Sequence, residues 1–280
     1  MLIDTHAHLN DKQFDADRDE VLKRAFDAGV GAVVEIADQE SEWSRARGLA
    51  ERHPGRVWWT AGLHPHHAGK VEKDMAWRLR DAVKHPQCVA VGEIGLDYYR
   101  NPVPPYDQQK VFFECAQAAA ESKKPLVIHC RESDAASCAA QDDMLSVLKS
   151  FFTGAPGTAN PPPGVLHCFQ GNLDFARACL EMGFYIGVDG PLTYPNAAAL
   201  REIIGEIPMD RLVLETDCPY LAPQSRRGRR NEPSYIRETA AALAKVKDVS
   251  VEQVEQQTAR NAEQLYRLGF SSASSSNRTP

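Results

Sequence analysis

The first apolar stretch of the chain carries two histidines two positions apart. It covers residues 2–9 (LIDTHAHL), and in an extended conformation Asp4, His6 and His8 lie on one face, because side chains alternate along a strand. Two imidazoles on one face have the spacing to hold one metal ion, since each offers a neutral nitrogen donor. The polar face of an exposed edge strand gives the same pattern, so this pair alone leaves both readings open.

Ligand-type side chains also stand at the ends of later apolar segments. These are His64, Glu93, His129, His167 and Asp217. Taken singly, each has another explanation: a histidine can be satisfied in the core, Glu93 can pair with an arginine, and Asp217 can cap a turn. Brought together, they would be desolvated and would repel one another without a cation. The set exceeds what one tetrahedral ion needs, so we expect two divalent ions that share a carboxylate.

The elements that must position these residues alternate between strands and helices. We predict strands over residues 2–9, 32–36, 56–62, 88–93, 125–129, 165–169, 184–188 and 211–215. Helices are predicted over residues 15–29, 41–53, 71–83, 107–122, 143–152, 173–182 and 197–204, with two more over 233–246 and 251–268.

Most predicted strands are continuous apolar runs, which are typical of a parallel sheet that is covered on both faces. The predicted fold class is therefore α/β, a TIM-like (β/α)8 barrel of parallel strands with an outer ring of helices. An open doubly wound sheet is the alternative, but no G-x-G-x-x-G follows the first strand. In such barrels the chemistry lies at the carboxyl ends of the strands, where the ligand-type residues fall.

Length and composition limit the classes of protein. A chain of 280 residues that is 43% hydrophobic and 25% charged suits one barrel or two smaller domains. We expect one metal-dependent hydrolase barrel domain over residues 1–270, a Pro/Gly-rich surface insertion at 153–164 and a disordered tail at 271–280. A net charge of −6 argues against a non-specific duplex coat protein, so any phosphate binding must be local.

Cysteine usage and hydropathy indicate the compartment. The seven cysteines are irregularly spaced, odd in number and include no C-x-x-C, which indicates a reducing compartment. We find no run of eighteen apolar residues and no secretory pattern at the first residues, so we expect no membrane contact and a cytoplasmic location.

Seven short motifs lie at the strand ends and in the loops that follow them. In chain order they are IDTHAH, GLHPH, VGEIGLDYY, IHCR, HCF, ETDCPYLAP and RNEP. As an ordered set over nearly the whole folded chain, they resemble the TatD family of metal-dependent deoxyribonucleases, within the amidohydrolase superfamily. Gln170 stands where a serine usually follows HCF, and the segment after Arg131 departs from the pattern. These departures concern substrate contacts more than metal binding.

The resemblance implies a TIM-like barrel with two divalent ions, and the ligand types permit Mg²⁺, Mn²⁺ or Zn²⁺. It implies that His6, His8 and Asp217 hold one ion, that His129 and His167 hold the other, and that Glu93 bridges them. His64 would bind or orient the scissile phosphate. We expect the ions to activate a water, with Asp217 as the candidate general base beside it and with Glu93 and His64 also acting in catalysis.

Candidate substrate contacts lie beside these ligands. Arg131 ends the fifth strand, Arg229 and Arg230 belong to the run SRRGRR, and Tyr98 could stack on a base. A solvated loop and ordinary packing are the alternatives for the arginine run and the tyrosine. The expected function is hydrolysis of DNA by a monomeric exonuclease at single-stranded, frayed or 3′ ends, with a role in DNA repair.

Two other functions remain compatible with the sequence. One is a two-metal hydrolase of the same superfamily that acts on a small ester, an amide or an aminoacyl-nucleic-acid. A carboxylated lysine often bridges the ions in such relatives, whereas Glu93 ends the predicted fourth strand here. The other is an inactive metal-binding scaffold, although no ligand position is missing.

Overall fold

Parallel β-strands in sequence order form the centre of the protein. The structure is a computed structural model, and it describes residues 1–69, 71–99, 101–134, 136–152 and 162–269. Within these residues the eight strands are β1 (Leu2–Ala7), β2 (Val30–Glu35), β3 (Val57–Ala61), β4 (Cys88–Asp97), β5 (Leu126–Arg131), β6 (Gly164–Leu166), β7 (Tyr185–Val188) and β8 (Leu212–Leu214). Each strand pairs in parallel with the next one along the chain.

Hydrogen bonds between β1 and the chain around the end of β8 close the sheet. The Thr5 hydroxyl donates to the Leu214 carbonyl at 3.0 Å. The Asp217 N–H donates to the His6 carbonyl at 2.9 Å, and the His8 N–H donates to the Cys218 carbonyl at 2.8 Å. The sheet is therefore a nearly closed barrel. The predicted fold class is confirmed, and the open doubly wound alternative is wrong.

Helices surround the barrel in the predicted order. The structure gives α1 (Arg18–Asp27), α2 (Glu40–Arg52), α3 (Met75–Ala82), α4 (Pro105–Ser122), α5 (Ala139–Phe151), α6 (Leu173–Glu181), α7 (Ala198–Glu206), α8 (Ile236–Lys247) and α9 (Val251–Tyr266). Local caps set some of these limits. Asn172 accepts the Phe175 N–H at the start of α6, and Ser250 forms a capping box with Gln253 at the start of α9.

Strand side chains divide between two apolar clusters. Val33 and Trp59 belong to a large cluster with the helices, whereas their neighbours Val34 and Trp58 belong to a second cluster that includes residues of α9. This division follows from the two-residue alternation of a strand that is covered on both faces.

Several strand ends differ from prediction, and two of these differences bear most directly on the site. The fourth strand was expected to end at Glu93 but continues to Asp97, because its second half pairs with β5. This pairing is close: a Cβ on Gly95 would lie 1.9 Å from the His129 carbonyl oxygen. The sixth strand ends at Leu166, so His167 lies in the turn after the strand.

The predicted insertion at 153–164 and the tail at 271–280 fall largely or wholly outside the described residues, so the domain limits of 1–270 stay a prediction. All seven cysteines lie in the described ranges and are free thiols. Among the described residues, none of the helices combines the length and the apolar character that crossing a bilayer requires. The cytoplasmic location remains a prediction.

Candidate metal centre

The predicted ligands meet at the carboxyl ends of the strands. His6 and Glu93 lie within β1 and β4, His129 lies near the end of β5, and His8, His167 and Asp217 follow β1, β6 and β8. Nitrogen and oxygen donors fall into overlapping groups whose atoms all lie within 4.8 Å of one another. The groups are His6, His8 and Asp217; His6, Glu93 and His167; and His64, Glu93 and His129.

The Glu93 carboxylate lies at the centre of these groups. Its Oε1 is 3.1 Å from His129 Nδ1 and 3.7 Å from His167 Nε2. Its Oε2 is 3.4 Å from His6 Nε2 and 3.6 Å from His8 Nε2. Because the two oxygens face different pairs of histidines, this side chain has the geometry of a carboxylate that serves two cations.

Asp217 completes one side of the cluster. Its Oδ1 is 3.3 Å from His8 Nε2 and 3.6 Å from His6 Nε2. The residue has a left-handed backbone with φ 57, a conformation that aspartate tolerates better than most residues. The hydrogen bond from its N–H to the His6 carbonyl fixes this turn against β1.

Burial and charge divide the histidines into two kinds. Burial lowers the pKa of His6 and takes the pKa of His64 well below its usual value, so both imidazoles are neutral donors. Burial also disfavours charge on His8, but Asp217 outweighs it and raises the pKa of His8 to about 10. For His167, Glu215 and Glu93 outweigh burial in the same way, and the pKa is about 10. The cluster therefore holds protons that cations would replace.

Other contacts in the cluster also suit cations. His6 Nε2 and His8 Nε2 face each other at 3.1 Å, and the rings of His6 and His167 stack with centroids 3.5 Å apart. Two ring nitrogens that face each other need a proton or a cation between them, since both are acceptors in their ligand form. Imidazole and carboxylate donors together fit divalent ions such as Zn²⁺ and Mn²⁺ and also admit Mg²⁺.

Sequence reasoning missed two carboxylates that hold the ligands in place. Asp97 Oδ2 is 3.1 Å from His129 Nε2 and 3.2 Å from His66 Nε2. Glu215 Oε1 is 3.1 Å from His167 Nδ1. Each carboxylate contacts the ring nitrogen opposite the one that faces Glu93, so it can fix the tautomer of the ligand. Both acids stand within the motifs VGEIGLDYY and ETDCPYLAP, but only the structure shows what they touch.

A third buried acid joins β1 to the chain after β8. Asp4 is 0% exposed, and its two oxygens accept hydrogen bonds from the hydroxyl and the N–H of Thr216 at 2.6 and 3.0 Å. Burial raises the pKa of Asp4 to about 8. The pair fixes the two segments that carry His6 and Asp217 against each other.

The predicted substrate contacts occupy different settings. His64 is 8% exposed beside Glu93, and Arg131 is exposed at the end of β5. The Tyr98 hydroxyl instead donates to Asp143 at 2.8 Å, and its ring packs against the core. Arg230 pairs with Asp17 at 2.7 Å, and Arg229 is exposed. The structure thus places His64 in the cluster and Arg131 two residues beyond His129 at the end of β5, and it engages Tyr98 and Arg230 elsewhere.

A nearly closed parallel barrel with imidazoles and carboxylates gathered at the ends of its strands defines a metal-dependent hydrolase of the TIM-barrel class. Residues 3–267 match the family model described as TatD related DNase. The chain belongs to this family, as the motifs predicted, and the expectation of a metal-dependent nuclease is confirmed.

Similar proteins cover almost the whole chain. One is the uncharacterized metal-dependent hydrolase YabD of Bacillus subtilis, 38% identical over 269 residues, which are 96% of this chain and 100% of that protein. Another is the 3′-5′ ssDNA/RNA exonuclease TatD of Erwinia billingiae, 37% identical over 272 residues, which are 95% of this chain and 99% of that protein.

Among solved structures, YjjV, a TatD homolog from Escherichia coli, has a TM-score of 0.85 at 29% identity over 95% of this chain and 98% of that one. A phosphotriesterase homology protein from Escherichia coli shares the fold, with a TM-score of 0.61 at 15% identity over 95% of this chain and 96% of that one.

Proposed function

We propose that this chain uses two divalent ions to hydrolyse phosphodiester bonds at the 3′ ends of single-stranded nucleic acid. The observation that carries the proposal is the position of Glu93, whose two oxygens face different pairs of histidines. Relatives at 37% identity that are named 3′-5′ ssDNA/RNA exonuclease support the substrate class and the polarity.

The proposed ligand sets follow the distances in the cluster. His6, His8 and Asp217 would hold one ion, His129 and His167 would hold the other, and Glu93 would contribute to both. When bound, such ions neutralise the phosphoryl oxygens and lower the pKa of a water.

Asp217 is proposed as the general base. Burial favours its neutral form, but the hydrogen bond with His8 outweighs burial and lowers the pKa of Asp217, so the carboxylate is ionised at neutral pH. An ionised carboxylate in this position can accept the proton of an attacking water.

His64 is proposed to bind the scissile phosphate. Its Nδ1 accepts the His66 N–H at 3.2 Å, which places the proton of this neutral ring on Nε2. Nε2 faces the cluster, 3.7 Å from Glu93 Oε1. His64 can therefore donate a hydrogen bond to a phosphoryl oxygen that enters beside Glu93.

The remaining substrate contacts are proposals of different strength. Arg131 and Arg229 are exposed and available to phosphate. Arg230 and Tyr98 would have to leave Asp17 and Asp143 to reach a nucleotide. We also propose that the protein is a monomer and that it works in the cytoplasm. The free cysteines support only the second proposal, because they fit a reducing compartment.

The test compares Glu93→Ala with a matched surface variant, Glu181→Gln, which changes an exposed acid on α6. Elemental analysis and hydrolysis of a single-stranded oligonucleotide are measured with Mg²⁺, Mn²⁺ and Zn²⁺. We expect Glu93→Ala to lose bound metal and to lose activity by on the order of a thousandfold, because charge stabilisation worth several kcal/mol disappears. Glu181→Gln should behave as the wild type.

Full activity in Glu93→Ala would refute the bridging role. A substrate panel addresses the reaction itself: wild-type protein that cleaves small esters, amides or an aminoacyl-nucleic-acid but no oligonucleotide would overturn the proposal in favour of the amidohydrolase-type alternative. Metal-loaded protein that cleaves none of them would support the inactive scaffold.

A further inference from the structure

Several arginines in or against the segment after β8 are neutralised by an acid. Arg24 pairs with Glu232 at 2.7 Å, Arg226 with Glu238 at 3.0 Å, and Arg230 with Asp17 at 2.7 Å. Three exposed arginines differ. Arg131, Arg227 and Arg229 form no ion pair with any residue in the described part of the chain, and Arg131 and Arg227 are in addition held by an aromatic ring.

Each of these two arginines lies over the ring of a tyrosine. The guanidinium carbon of Arg131 is 4.2 Å from the ring centroid of Tyr99, and that of Arg227 is 4.5 Å from the ring centroid of Tyr194. Stacking holds the planar group by its face and leaves N–H groups along its edge. A guanidinium held in this way loses less conformational entropy when it binds an oxyanion, and it can bind phosphate through two parallel hydrogen bonds.

The first stack is joined to the metal cluster. Arg131 follows His129 by two residues and is the register partner of Asp97 in the β4–β5 pair. The Tyr99 N–H donates to Asp97 Oδ1 at 2.8 Å, and the other oxygen of Asp97 contacts His129. This arginine therefore stands one step outward from a proposed metal ligand.

The second stack is fixed on the other side of the cluster. Tyr194 follows the 3₁₀ turn Gly190–Thr193 after β7, its hydroxyl donates to the Ala222 carbonyl at 3.0 Å, and its own carbonyl accepts from Arg201 at 2.7 Å. Arg227 lies in the segment after β8, ten residues beyond Asp217. Around the barrel, the two stacks are separated by β6 on one side and by β1, β2 and β3 on the other.

We propose that Arg131 and Arg227 form two phosphate subsites that flank the metal centre, so that a single strand crosses the barrel mouth with its scissile phosphate between them. This inference rests on the proposed function and adds the path of the strand and a second, unassigned arginine. The ligand at each subsite is a backbone phosphodiester, so the subsites read charge and spacing without base sequence.

The overall charge of the protein makes such local sites necessary. A net charge of −6 repels a polyanion at long range, and the cluster itself contains carboxylates. Positive charge that is already paired with an acid gains little from a phosphate, because the first partner must be displaced. Arg131 and Arg227 are therefore better placed than Arg226 or Arg230 to hold a strand.

The experiment compares Arg131→Gln, Arg227→Gln and the double variant with Arg52→Gln. Arg52 is an exposed arginine at the end of α2, which leads into the amino end of β3, so it serves as a charge-matched control far from the mouth. With Mn²⁺ present, kcat/KM is measured for a single-stranded 12-mer and for a dinucleotide that has one phosphodiester. Thermal melts confirm that each variant is folded.

We expect each single variant to lower the preference for the 12-mer over the dinucleotide about tenfold, through a higher KM for the 12-mer. The slope of log KM against log salt for the 12-mer should fall by about 0.7 for each lost phosphate contact. Arg227→Lys keeps the charge without the planar fork and should give an intermediate value. Arg52→Gln should match the wild type.

A 12-mer with single neutral methylphosphonate linkages locates each contact. Binding is measured by fluorescence anisotropy. In the wild type, a neutral linkage at a phosphate that contacts Arg131 or Arg227 should weaken binding. The Arg227→Gln variant should lose no further affinity when the linkage that Arg227 contacts is the neutral one. Suppose that the wild-type protein is active and that both arginine variants keep its 12-mer preference and its salt slope. This result overturns the inference and leaves the proposed function intact. If the wild type cleaves neither substrate, the proposed function fails, and the anisotropy comparison with Arg52→Gln still decides whether the two subsites exist.

Discussion

Asp97 is not itself a proposed metal ligand, but it can affect how tightly the proposed ligand His129 binds a metal ion. Asp97 is 1% exposed, and its position is fixed by Gln108, which accepts the Asp97 N–H at 2.8 Å and donates to the Asp97 carbonyl at 3.0 Å. From this fixed position Asp97 accepts a hydrogen bond from His129 Nε2. The proton of the neutral ring is then on Nε2, and the lone pair of Nδ1, which faces Glu93, is free to bind a metal ion. Asp97 is therefore a positioning residue for the proposed ligand His129.

We expect Asp97→Asn to weaken metal binding about 10- to 100-fold, because the amide can present its NH₂ group to His129 and favour the wrong tautomer. A chelator-competition titration measures the affinity, and Asp174→Asn, which changes a 95% exposed acid on α6, is the control. Saturating metal should restore most of kcat, since the reacting groups are unchanged. Wild-type affinity in Asp97→Asn would remove this role from Asp97.

At this scale the sequence predicted which residues form the cluster better than it predicted the residues behind them. His129 and His167 follow Val127 and Val165 by two residues, so strand periodicity alone predicts a shared face. Asp97 had no comparable signal, because β4 was expected to stop at Glu93. Arg227 could not be separated from Arg226 and Arg230, because their acidic partners are distant in sequence.

The segment after β8 is held in place by contacts with α1 and with the residue just before α1. Arg24 of α1 makes hydrogen bonds to both oxygens of Glu232, and Asp17, just before α1, pairs with Arg230. The Asn231 side chain adds hydrogen bonds to the Thr216 and Tyr220 carbonyls at 2.8 and 2.7 Å. These bonds position the loop that contains Arg227 relative to Asp217.

Glu232→Gln tests this attachment through the pH dependence of stability. Burial raises the pKa of Glu232, but Arg24 outweighs burial and lowers the pKa below its ordinary value of 4.5. A lowered carboxyl pKa contributes stability above the unfolded pKa and loses it as pH falls through the folded pKa. We expect the variant to lose about 1 kcal/mol at pH 7 and progressively less below pH 4.5.

Urea denaturation of metal-free protein at several pH values measures this difference in the free energy of unfolding. Glu181→Gln, which removes an exposed acid without an arginine partner among the described residues, is the matched control and should show neither effect. A Glu232→Gln deficit that is constant from pH 7 to pH 3 would show that the loss does not come from the charge of Glu232.

For the whole molecule, metal binding and folding are linked. The proposed ligands come from strands throughout the barrel, so ions that bind only the folded chain stabilise all of it. At a free metal concentration of 100 times Kd, one site adds about 2.7 kcal/mol, which corresponds to a rise in Tm of roughly 5–10 °C for a chain of this size.

We therefore expect Mn²⁺ or Zn²⁺ to raise the Tm of EDTA-treated protein and EDTA to reverse the rise, with melting followed by circular dichroism. Glu93→Ala should show little of this response, and Glu181→Gln should show all of it. A wild-type Tm that is unchanged at saturating metal would mean that the cluster binds no ion in the folded state.

The fold as a whole was predictable, and its details were less so. Eight apolar runs separated by helical patterns are enough to predict a parallel barrel, because few other architectures cover both faces of so many strands. The pattern could not predict that β4 extends to Asp97 or that β6 stops before His167. Those limits depend on how neighbouring strands pair, which no local window of sequence contains.

The joining of β1 to the chain after β8 has a consequence for how the protein is made. His6 leaves the ribosome with β1, whereas Asp217 and the Cys218 carbonyl that anchors His8 emerge only after β8 has been synthesised. Under the proposed function, a prematurely terminated chain carries the early histidines without the last acid and is inert toward nucleic acid. The order of the strands thus confines nuclease activity to chains whose translation has passed the eighth strand.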